Sequence, residues 1–123
     1  MPQSAGSDTI LRLLLSHGAK PDTPDAGGRT ALMEAARLGS QACAVALLEA
    51  GASVDAVDSE GHSALMDGAN KGCEGCVRAL LQRGAGVNLL DKEGRSALLN
   101  AVDEGSKVCV VELLKRGADP HGP

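Results

Sequence analysis

Residues 58–85 read DSEGHSALMDGANKGCEGCVRALLQRGA. The same residue types return one unit earlier and one unit later, so the leading residue of the pattern is Asp25, Asp58 and then Asp91, each 33 residues from the next. A fixed period of this length is typical of a solenoid, in which each unit is one supersecondary module that buries its apolar face only against its neighbours. The chain is therefore predicted to stack three consecutive units.

Each unit opens with a turn and a short helix. In the middle unit, Asp58 and Gly61 hold the first and fourth positions of a type I turn, which predicts a hairpin tip. Ser63 then offers a hydroxyl to the first N–H groups of a helix, and Gly72 is placed to end that helix after roughly ten residues.

A second helix follows in each unit. Cys76, Leu80 and Leu81 have the spacing of one helical face, which predicts that this face is turned into the core. Gly84 is placed to end the helix. Arg83, with its basic counterparts one unit later, lies in the last turn, where a positive charge complements the negative end of the helix dipole.

The pattern D-x-x-G-x-[ST]-A-L-x…G…LL-x-x-G-A is similar to the ankyrin repeat, and the resemblance covers about residues 7–123. It implies an all-α repeat solenoid, an ankyrin-repeat stack of antiparallel helix pairs joined by β-hairpin-like loops. The chain departs from the T-P-L-H that is usual in the family, because the middle unit reads SALM at residues 63–66. Without the Pro the first helical position is less preorganised, and without the His a polar bond to the adjacent hairpin is replaced by apolar packing.

One position in the middle unit weakens its first helix. Gly68 stands where the neighbouring units have Ala35 and Ala101. A Gly in place of an Ala costs roughly 1 kcal/mol of helix propensity. We therefore expect the middle unit to be the least stable of the three.

The period also divides the chain. We predict a single ankyrin-repeat domain over residues 1–123, made of a partial repeat at 1–24 and full repeats at 25–57, 58–90 and 91–123. Residues 1–6 are interpreted as a truncation scar or a disordered start. At the other end, Val110, Val111 and Leu113 do not form the polar outer face that a terminal repeat normally needs, which suggests a segment excised from a longer ankyrin protein.

Composition and charge argue against several classes of partner. The formal net charge is −4 and the acidic and basic residues are interspersed, which disfavours nucleic acid. The chain has no Phe, Tyr or Trp, so it has no aromatic platform for single-stranded nucleic acid and no aromatic cage for a methylated lysine. No apolar run reaches the length of a membrane span and no signal-peptide core follows Met1. We expect no membrane partner and an intracellular, soluble protein of the cytoplasm, the nucleus or both.

Residues capable of catalysis are dispersed in the sequence. His17, His62 and His121 fall at a helix end, a hairpin tip and a terminal loop, so we do not expect them to converge. A Cys-His catalytic pair needs proximity, whereas Cys76 lies in a core helix. Turns and helix ends account for the glycines. The chain is therefore predicted not to be an enzyme, with no catalytic residue, no metal, no cofactor and no small-molecule substrate.

The four cysteines allow more than one interpretation. Cys43, Cys76 and Cys109 hold the same helix position in successive units, too far apart to bridge one another if the units stack at about 10 Å, and are expected to be reduced core residues. Cys73 adds a C-x-x-C motif with Cys76, which can be a redox pair or half of a zinc site. The redox interpretation is favoured, because a zinc site would need two further ligands and the nearest cysteines are in other repeats. A thiol at a helix N-terminus is acidified and reactive, so Cys73 is a candidate reactive thiol; the alternative is a weak helix cap.

For a chain without catalysis, function lies on the surface of the stack. The resemblance to ankyrin repeats implies a concave protein-binding face formed by the hairpin tips and the first helices. On that face the resemblance places Arg29, Glu34, Arg37, Leu38, Glu60, His62, Asp67, Asn70, Lys71, Lys92, Glu93, Arg95, Asn100, Asp103 and Glu104.

Two columns are expected on this face. The first column is basic and the second is largely acidic, so we expect a mixed-charge peptide to lie between them; the columns are Arg29, His62 and Arg95, and Glu34, Asp67 and Asn100. Arg29, Arg37 and Arg95 are the strongest candidates, because a guanidinium recognises a carboxylate with two parallel hydrogen bonds and arginine is enriched at interface hot spots. Leu38 is expected to add an apolar contact.

The sequence thus predicts a non-catalytic protein–protein interaction module that binds a segment of a partner protein, within a larger scaffold or adaptor protein. Two alternatives remain open. One is a redox-responsive regulatory domain that acts through Cys73. The other is a targeting or inhibitory domain of a larger enzyme.

Overall fold

Polar caps and left-handed glycines fix where the helices begin and end. Thr30, Ser63 and Ser96 each have an extended backbone, and the side-chain oxygen of each accepts a hydrogen bond from the N–H three residues later. Gly39, with a φ of 76°, and its counterparts in the next two units end the same helices. Each of these helices has eight residues, fewer than predicted, because the capping residues lie outside the helix.

The computed structural model describes residues 12–119. These residues form seven helices: α1, which includes residues 12–16, α2 (Ala31–Leu38), α3 (Gln41–Glu49), α4 (Ala64–Lys71), α5 (Glu74–Gln82), α6 (Ala97–Glu104) and α7 (Lys107–Lys115). Within the same range, β pairing is limited to an isolated antiparallel bridge between Val57 and Ser63.

The helices pack in two rows. The first helices of the units, α2, α4 and α6, pack against one another, and the second helices, α3, α5 and α7, form the other row. Each first helix also packs against the second helix of its own unit. The core lies between the rows and contains the almost fully buried side chains of Leu32, Leu47, Leu65, Leu80 and Leu113. The predicted all-α solenoid of helix pairs is confirmed.

Three loops, here called the fingers, precede the first helices at residues 25–29, 58–62 and 91–95. In the second finger the N–H of Gly61 donates to the carbonyl oxygen of Asp58 at 3.0 Å, as the predicted turn requires. The side chain of Asp58 closes the turn further, because its Oδ1 accepts the N–H groups of Glu60 and His62, both at 2.9 Å. The other two fingers repeat these bonds.

The fingers also touch one another. The N–H of Ser59 donates to the carbonyl oxygen of Gly27 at 3.0 Å, and an equivalent bond joins the second and third fingers. Gly61 has a φ of 82°, and a Cβ built on it would lie 3.1 Å from the Cα of Asp91. This close backbone approach and the positive φ both require glycine, so the fingers form one continuous edge of the stack.

Arginines at the ends of the second helices bond to the preceding unit. Arg83 Nη1 donates to the carbonyl oxygen of Leu48 at 2.9 Å, and Arg116 Nη1 donates to that of Leu81 at 3.1 Å. Each acceptor lies in the last turn of the preceding second helix, where carbonyl groups lack intrahelical partners. The predicted pairing of positive charge with a helix carboxyl end is therefore also made between units.

The carboxyl end of the stack differs in part from expectation. Leu113, expected on an apolar outer face, is buried because it holds the core position of Leu80 one unit earlier. Val110 is half-buried and Val111 is exposed. Residues 1–6 and His121, on which the sequence also gave expectations, lie outside the described residues.

Candidate functional site

The predicted binding residues all lie on the fingers or on the first helices. The exposed members include one position per unit near the end of the first helix, namely Leu38, Lys71 and Glu104. The stem of Lys71 lies against Gly39, where a built Cβ would approach Lys71 Cε to 3.3 Å. The stem of Glu104 lies against Gly72 in the same way. These side chains therefore run along one edge of the row of first helices.

Arg29 is the centre of an ion-pair cluster that joins two units. Its Nε donates to Glu34 Oε1 at 2.6 Å, its Nη1 to Asp58 Oδ2 at 2.6 Å and its Nη2 to Asp67 Oδ2 at 2.7 Å. The three carboxylates belong to α2, the second finger and α4. We call these four residues the Arg29 cluster. Only 21% of the Arg29 side chain is exposed, and its guanidinium is directed toward the three carboxylates of the cluster. At this point the basic and acidic columns are therefore joined, and no space is left between them for a peptide.

Hydrogen bonding shifts the pKa values at the exposed side of the Arg29 cluster. Burial lowers the pKa of Arg29, but hydrogen bonds to its three carboxylates outweigh burial, so the pKa is raised and the guanidinium stays charged. Hydrogen bonds from Arg37 and Arg29 lower the pKa of Glu34. Arg37 donates to Glu34 Oε2 through Nη2 at 2.6 Å and keeps 56% of its side chain exposed.

The two buried carboxylates of the Arg29 cluster shift in opposite directions. Burial raises the pKa of Asp58, but the backbone N–H groups of His62 and Glu60, together with Arg29, outweigh burial and lower it. Burial raises the pKa of Asp67, and the hydrogen bond from Arg29 only partly offsets this effect. Asp58 is therefore held firmly as a carboxylate, whereas the charge of Asp67 is stabilised incompletely.

The third unit repeats this arrangement with fewer charges. Arg95 Nε donates to Asn100 Oδ1 at 3.1 Å, and Arg95 also pairs with Asp103. Asn100 stands where the earlier units have Glu34 and Asp67. It is buried, and its amide also donates to the carbonyl oxygen of Met66 at 3.4 Å. The expected exposure of Asn100 on the face is therefore wrong.

His62 lies between two buried finger carboxylates. Its Nδ1 is 3.4 Å from Asp58 Oδ2 and its Nε2 is 3.3 Å from Asp91 Oδ2. The sequence placed His62 in a basic column but did not identify Asp58 and Asp91 as its partners. The sequence did contain a signal for these partners, because an Asp begins every finger.

A polar cavity opens between the second and third fingers. Its volume is about 220 Å³, and its walls come from two fingers and from α4 and α6. The lining residues are His62, Asp67, Asn70, Asp91, Glu93, Arg95 and Asn100. All but Asp91 were predicted from sequence. Carboxylates outnumber the one arginine, and that arginine is already paired, so the cavity offers mainly hydrogen-bond acceptors.

The C-x-x-C motif forms a disulfide. Cys73 is the N-cap of α5, where its sulfur accepts the N–H of Cys76, and the structure joins the two side chains across the first turn with a Cα–Cα distance of 5.3 Å. The expectation that Cys76 is a reduced core residue is therefore wrong, because its partner is local. Cys43 and Cys109 are free, as expected. Over residues 12–119, no group of three or more His, Cys, Asp or Glu residues is arranged to hold a metal ion.

Comparison with known proteins identifies the family. A family model described as "Ankyrin repeats (3 copies)" matches residues 3–58 and 50–122. No curated protein matches the chain. In the part of the chain that the structure describes, no helix is long and apolar enough to cross a membrane. Ankyrin repeats generally mediate protein–protein interaction, and by the family match the chain belongs to the ankyrin-repeat family.

Proposed function

We propose that this chain is a non-catalytic interaction module of a larger scaffold or adaptor protein, and that it binds an extended, mixed-charge segment of a partner protein. The binding surface is the concave face formed by the fingers and by α2, α4 and α6. Support comes from the family, whose repeats mediate protein–protein interaction, and from the polar side chains that recur on this face at one position per unit.

The polar cavity between the second and third fingers carries the proposal. Its acceptor-rich wall suits a basic side chain of the partner, because the carboxylates of Asp67, Asp91 and Glu93 line it. The same face carries two exposed lysines, Lys71 at the end of α4 and Lys92 on the third finger. A segment that carries both basic and acidic residues therefore complements the face.

The arginines of the face have different roles in this proposal. Arg29 is saturated by its three carboxylates and positions the first and second fingers rather than contacting the partner. Arg37 is exposed and binds a single carboxylate, so it remains accessible to the partner. Arg95 forms part of the cavity wall.

The test is capture from a cell lysate with the natural chain and two variants as bait. Glu93→Lys reverses one charge at the cavity, and Glu74→Lys reverses one exposed charge at the start of α5, away from the fingers. We expect a partner that the natural chain and Glu74→Lys retain and that Glu93→Lys loses, with circular dichroism showing intact helices in all three. If all three baits retain the partner equally, or if both variants lose it equally, the concave face is not the binding surface.

The disulfide favours a second candidate, a redox-responsive module. Reduction by two glutathione thiols breaks the Cys73–Cys76 bond, leaves two cysteine thiols and forms glutathione disulfide. The thiol of Cys73 then lies at the N-terminus of α5, where a thiolate is favoured. Cys73→Ser is the matched control, because Ser40 and Ser106 cap the equivalent helices. Partner affinity that changes with the glutathione ratio in the natural chain but not in Cys73→Ser supports this candidate; identical behaviour of both eliminates it.

A further inference from the structure

The cavity between the second and third fingers lies where the repeat places a second copy of the Arg29 cluster. Each residue of the cluster has its counterpart 33 positions later. The counterpart of Arg29 is His62, and those of its three carboxylates are Asp67, Asp91 and Asn100. All four counterparts line the cavity. The cavity therefore lies beside an imidazole at the point where the first pair of units has a guanidinium.

The Arg29 cluster shows which group this arrangement of acceptors binds. Nε, Nη1 and Nη2 of Arg29 each donate to a different carboxylate, at 2.6 to 2.7 Å. The three acceptors come from a first helix, the next finger and the next first helix. One planar guanidinium thus joins three elements of two units. This contact is evidence for the ligand that does not depend on the charge of the cavity itself.

Asp91 is positioned in the cavity as Asp58 is positioned in the Arg29 cluster. Only 3% of its side chain is exposed, and its Oδ1 accepts the N–H groups of Glu93 and Arg95 at 2.8 and 3.0 Å. Its Oδ2 is 3.3 Å from Nε2 of His62, whereas Oδ2 of Asp58 accepts a guanidinium N–H at 2.6 Å. An imidazole carries at most two N–H groups and a guanidinium carries five. Asp91 Oδ2 therefore retains capacity to accept a stronger donor.

Asp67 belongs to both arrangements. It accepts a hydrogen bond from Arg29 and also lines the cavity. Burial raises the pKa of Asp67 despite that bond, so a second cation on the side of the cavity would stabilise its charge further. The cation already present in the wall, Arg95, is bound to Asn100 and Asp103. Its charge is thus offset by its own partner.

The size and shape of the cavity favour an arginine head group. Its volume of about 220 Å³ is below the roughly 300–1,000 Å³ of sites for drug-sized ligands. Asn70 and Glu93 are the exposed members of its lining. Its buried acceptors lie on α4, the third finger and α6, so they approach from different directions. A guanidinium fork donates in several fixed directions, whereas an ammonium is a compact point charge.

We propose that this cavity is a guanidinium site, which receives an arginine side chain of the bound segment in preference to a lysine. The bound guanidinium donates to Asp67, Asp91 and Glu93, as Arg29 donates to its three carboxylates. That the arginine belongs to a partner protein rests on the proposed function, whereas the affinity of the cavity for a guanidinium does not.

The first test uses two small probes, N-acetyl-arginine amide and N-acetyl-lysine amide, followed by NMR shifts of the backbone amides. We expect saturable shifts in the second and third fingers, with the arginine probe bound about fivefold or more tightly, because it makes at least one more hydrogen bond. Equal affinity of the two probes, or no saturable shifts, would overturn the proposal.

Variants locate the probe. Asp91→Asn keeps the Oδ1 that closes the third finger and should weaken the arginine probe about tenfold, since a charge-assisted hydrogen bond is lost. Glu93→Gln, at an exposed position, should also weaken the probe and serves if Asp91→Asn does not fold. Glu74→Gln, at the start of α5, is the matched control and should leave the affinity unchanged. Equal affinities in Glu93→Gln and Glu74→Gln would contradict the assigned site.

A second test supplies the guanidinium from the chain itself. His62→Arg places an arginine at the counterpart of Arg29, so we expect the denaturant midpoint to rise and binding of the arginine probe to be lost. His62→Met, which has a long side chain without charge, should give no rise. A midpoint of His62→Arg at or below that of the natural chain, or an equal rise in His62→Met, would overturn the proposal.

Failure of this proposal and failure of the proposed function give different results. If the arginine probe binds but Glu93→Lys retains every captured partner, the guanidinium site stands and the partner does not use it. If Glu93→Lys loses the partner but the two probes bind equally, the concave face stands and the guanidinium site is wrong.

Discussion

Replacing Arg29 is expected to destabilise the fold far more than replacing either of the other arginines on the concave face. Arg29→Met keeps the length of the side chain and removes the charge that serves three carboxylates at 2.6 to 2.7 Å. Two of these carboxylates are largely buried, with 4% of the Asp58 and 13% of the Asp67 side chain exposed. The substitution therefore leaves two buried charges without their cation.

The magnitude follows from the burial of these groups. Removing one partner of a buried ion pair costs about 3–5 kcal/mol. Asp58 keeps two backbone N–H donors at 2.9 Å and Arg29 itself retains some exposure, so we expect a loss of about 2–4 kcal/mol in the free energy of unfolding. Arg37→Met, which removes one exposed pair with Glu34, is the matched control and should cost less than about 0.5 kcal/mol.

Urea denaturation followed by circular dichroism at pH 7 measures both variants. Because charge left on Asp67 contributes to the loss, adding Asp67→Asn to Arg29→Met should restore part of the stability. A loss in Arg29→Met no greater than that in Arg37→Met would refute the view that the Arg29 cluster is a structural clamp. Failure of Asp67→Asn to restore any stability would show that buried charge is not the cause.

Three further results are expected. Gly68→Ala should raise the free energy of unfolding by roughly 0.5–1 kcal/mol in the same denaturation assay, because its Cβ would meet Val77 Cγ2 at an ordinary 3.5 Å; a loss would show that the helices cannot accept the methyl group. Arg116→Met should cost about 0.5–1.5 kcal/mol through the lost bond to the Leu81 carbonyl, and unchanged stability would make that bond incidental. Glu34 and Asp58, whose pKa values are lowered in the folded protein, stabilise the fold above their ordinary pKa values of 4.5 and 3.8. This stability is lost as the pH falls below those values and through the lower pKa values of the folded state. Asp67, whose pKa is raised, contributes with the opposite sign, so Asp67→Asn should make the acid loss of stability steeper, and a shallower pH dependence would contradict this sign.

Local features of the fold were predictable because their causes are local in sequence. A turn Asp, a hydroxyl cap and a closing glycine act within one unit, and Asp58, Ser63 and Gly72 have the predicted roles. The disulfide was also within reach of the sequence, since Cys73 and Cys76 are one helical turn apart.

Features that join units were not predictable from the pattern. Arg29 and Asp67 are 38 residues apart. Their contact depends on the distance between the first finger and the first helix of the following unit. The sequence placed them in separate columns. In the same way, Arg83 was expected to act on its own helix, whereas its guanidinium reaches the carbonyl group of Leu48 in the preceding unit. Side-chain reach across an interface depends on the spacing of units, which a one-dimensional period does not contain.

The most direct test of the concave binding face is a hydrogen-exchange footprint of the chain with a partner captured from lysate, compared with the free chain. We expect slower exchange in the second and third fingers and in α4 and α6 when the partner is bound, with exchange in α3, α5 and α7 unchanged. Protection confined to α3, α5 and α7 would contradict the proposed binding face.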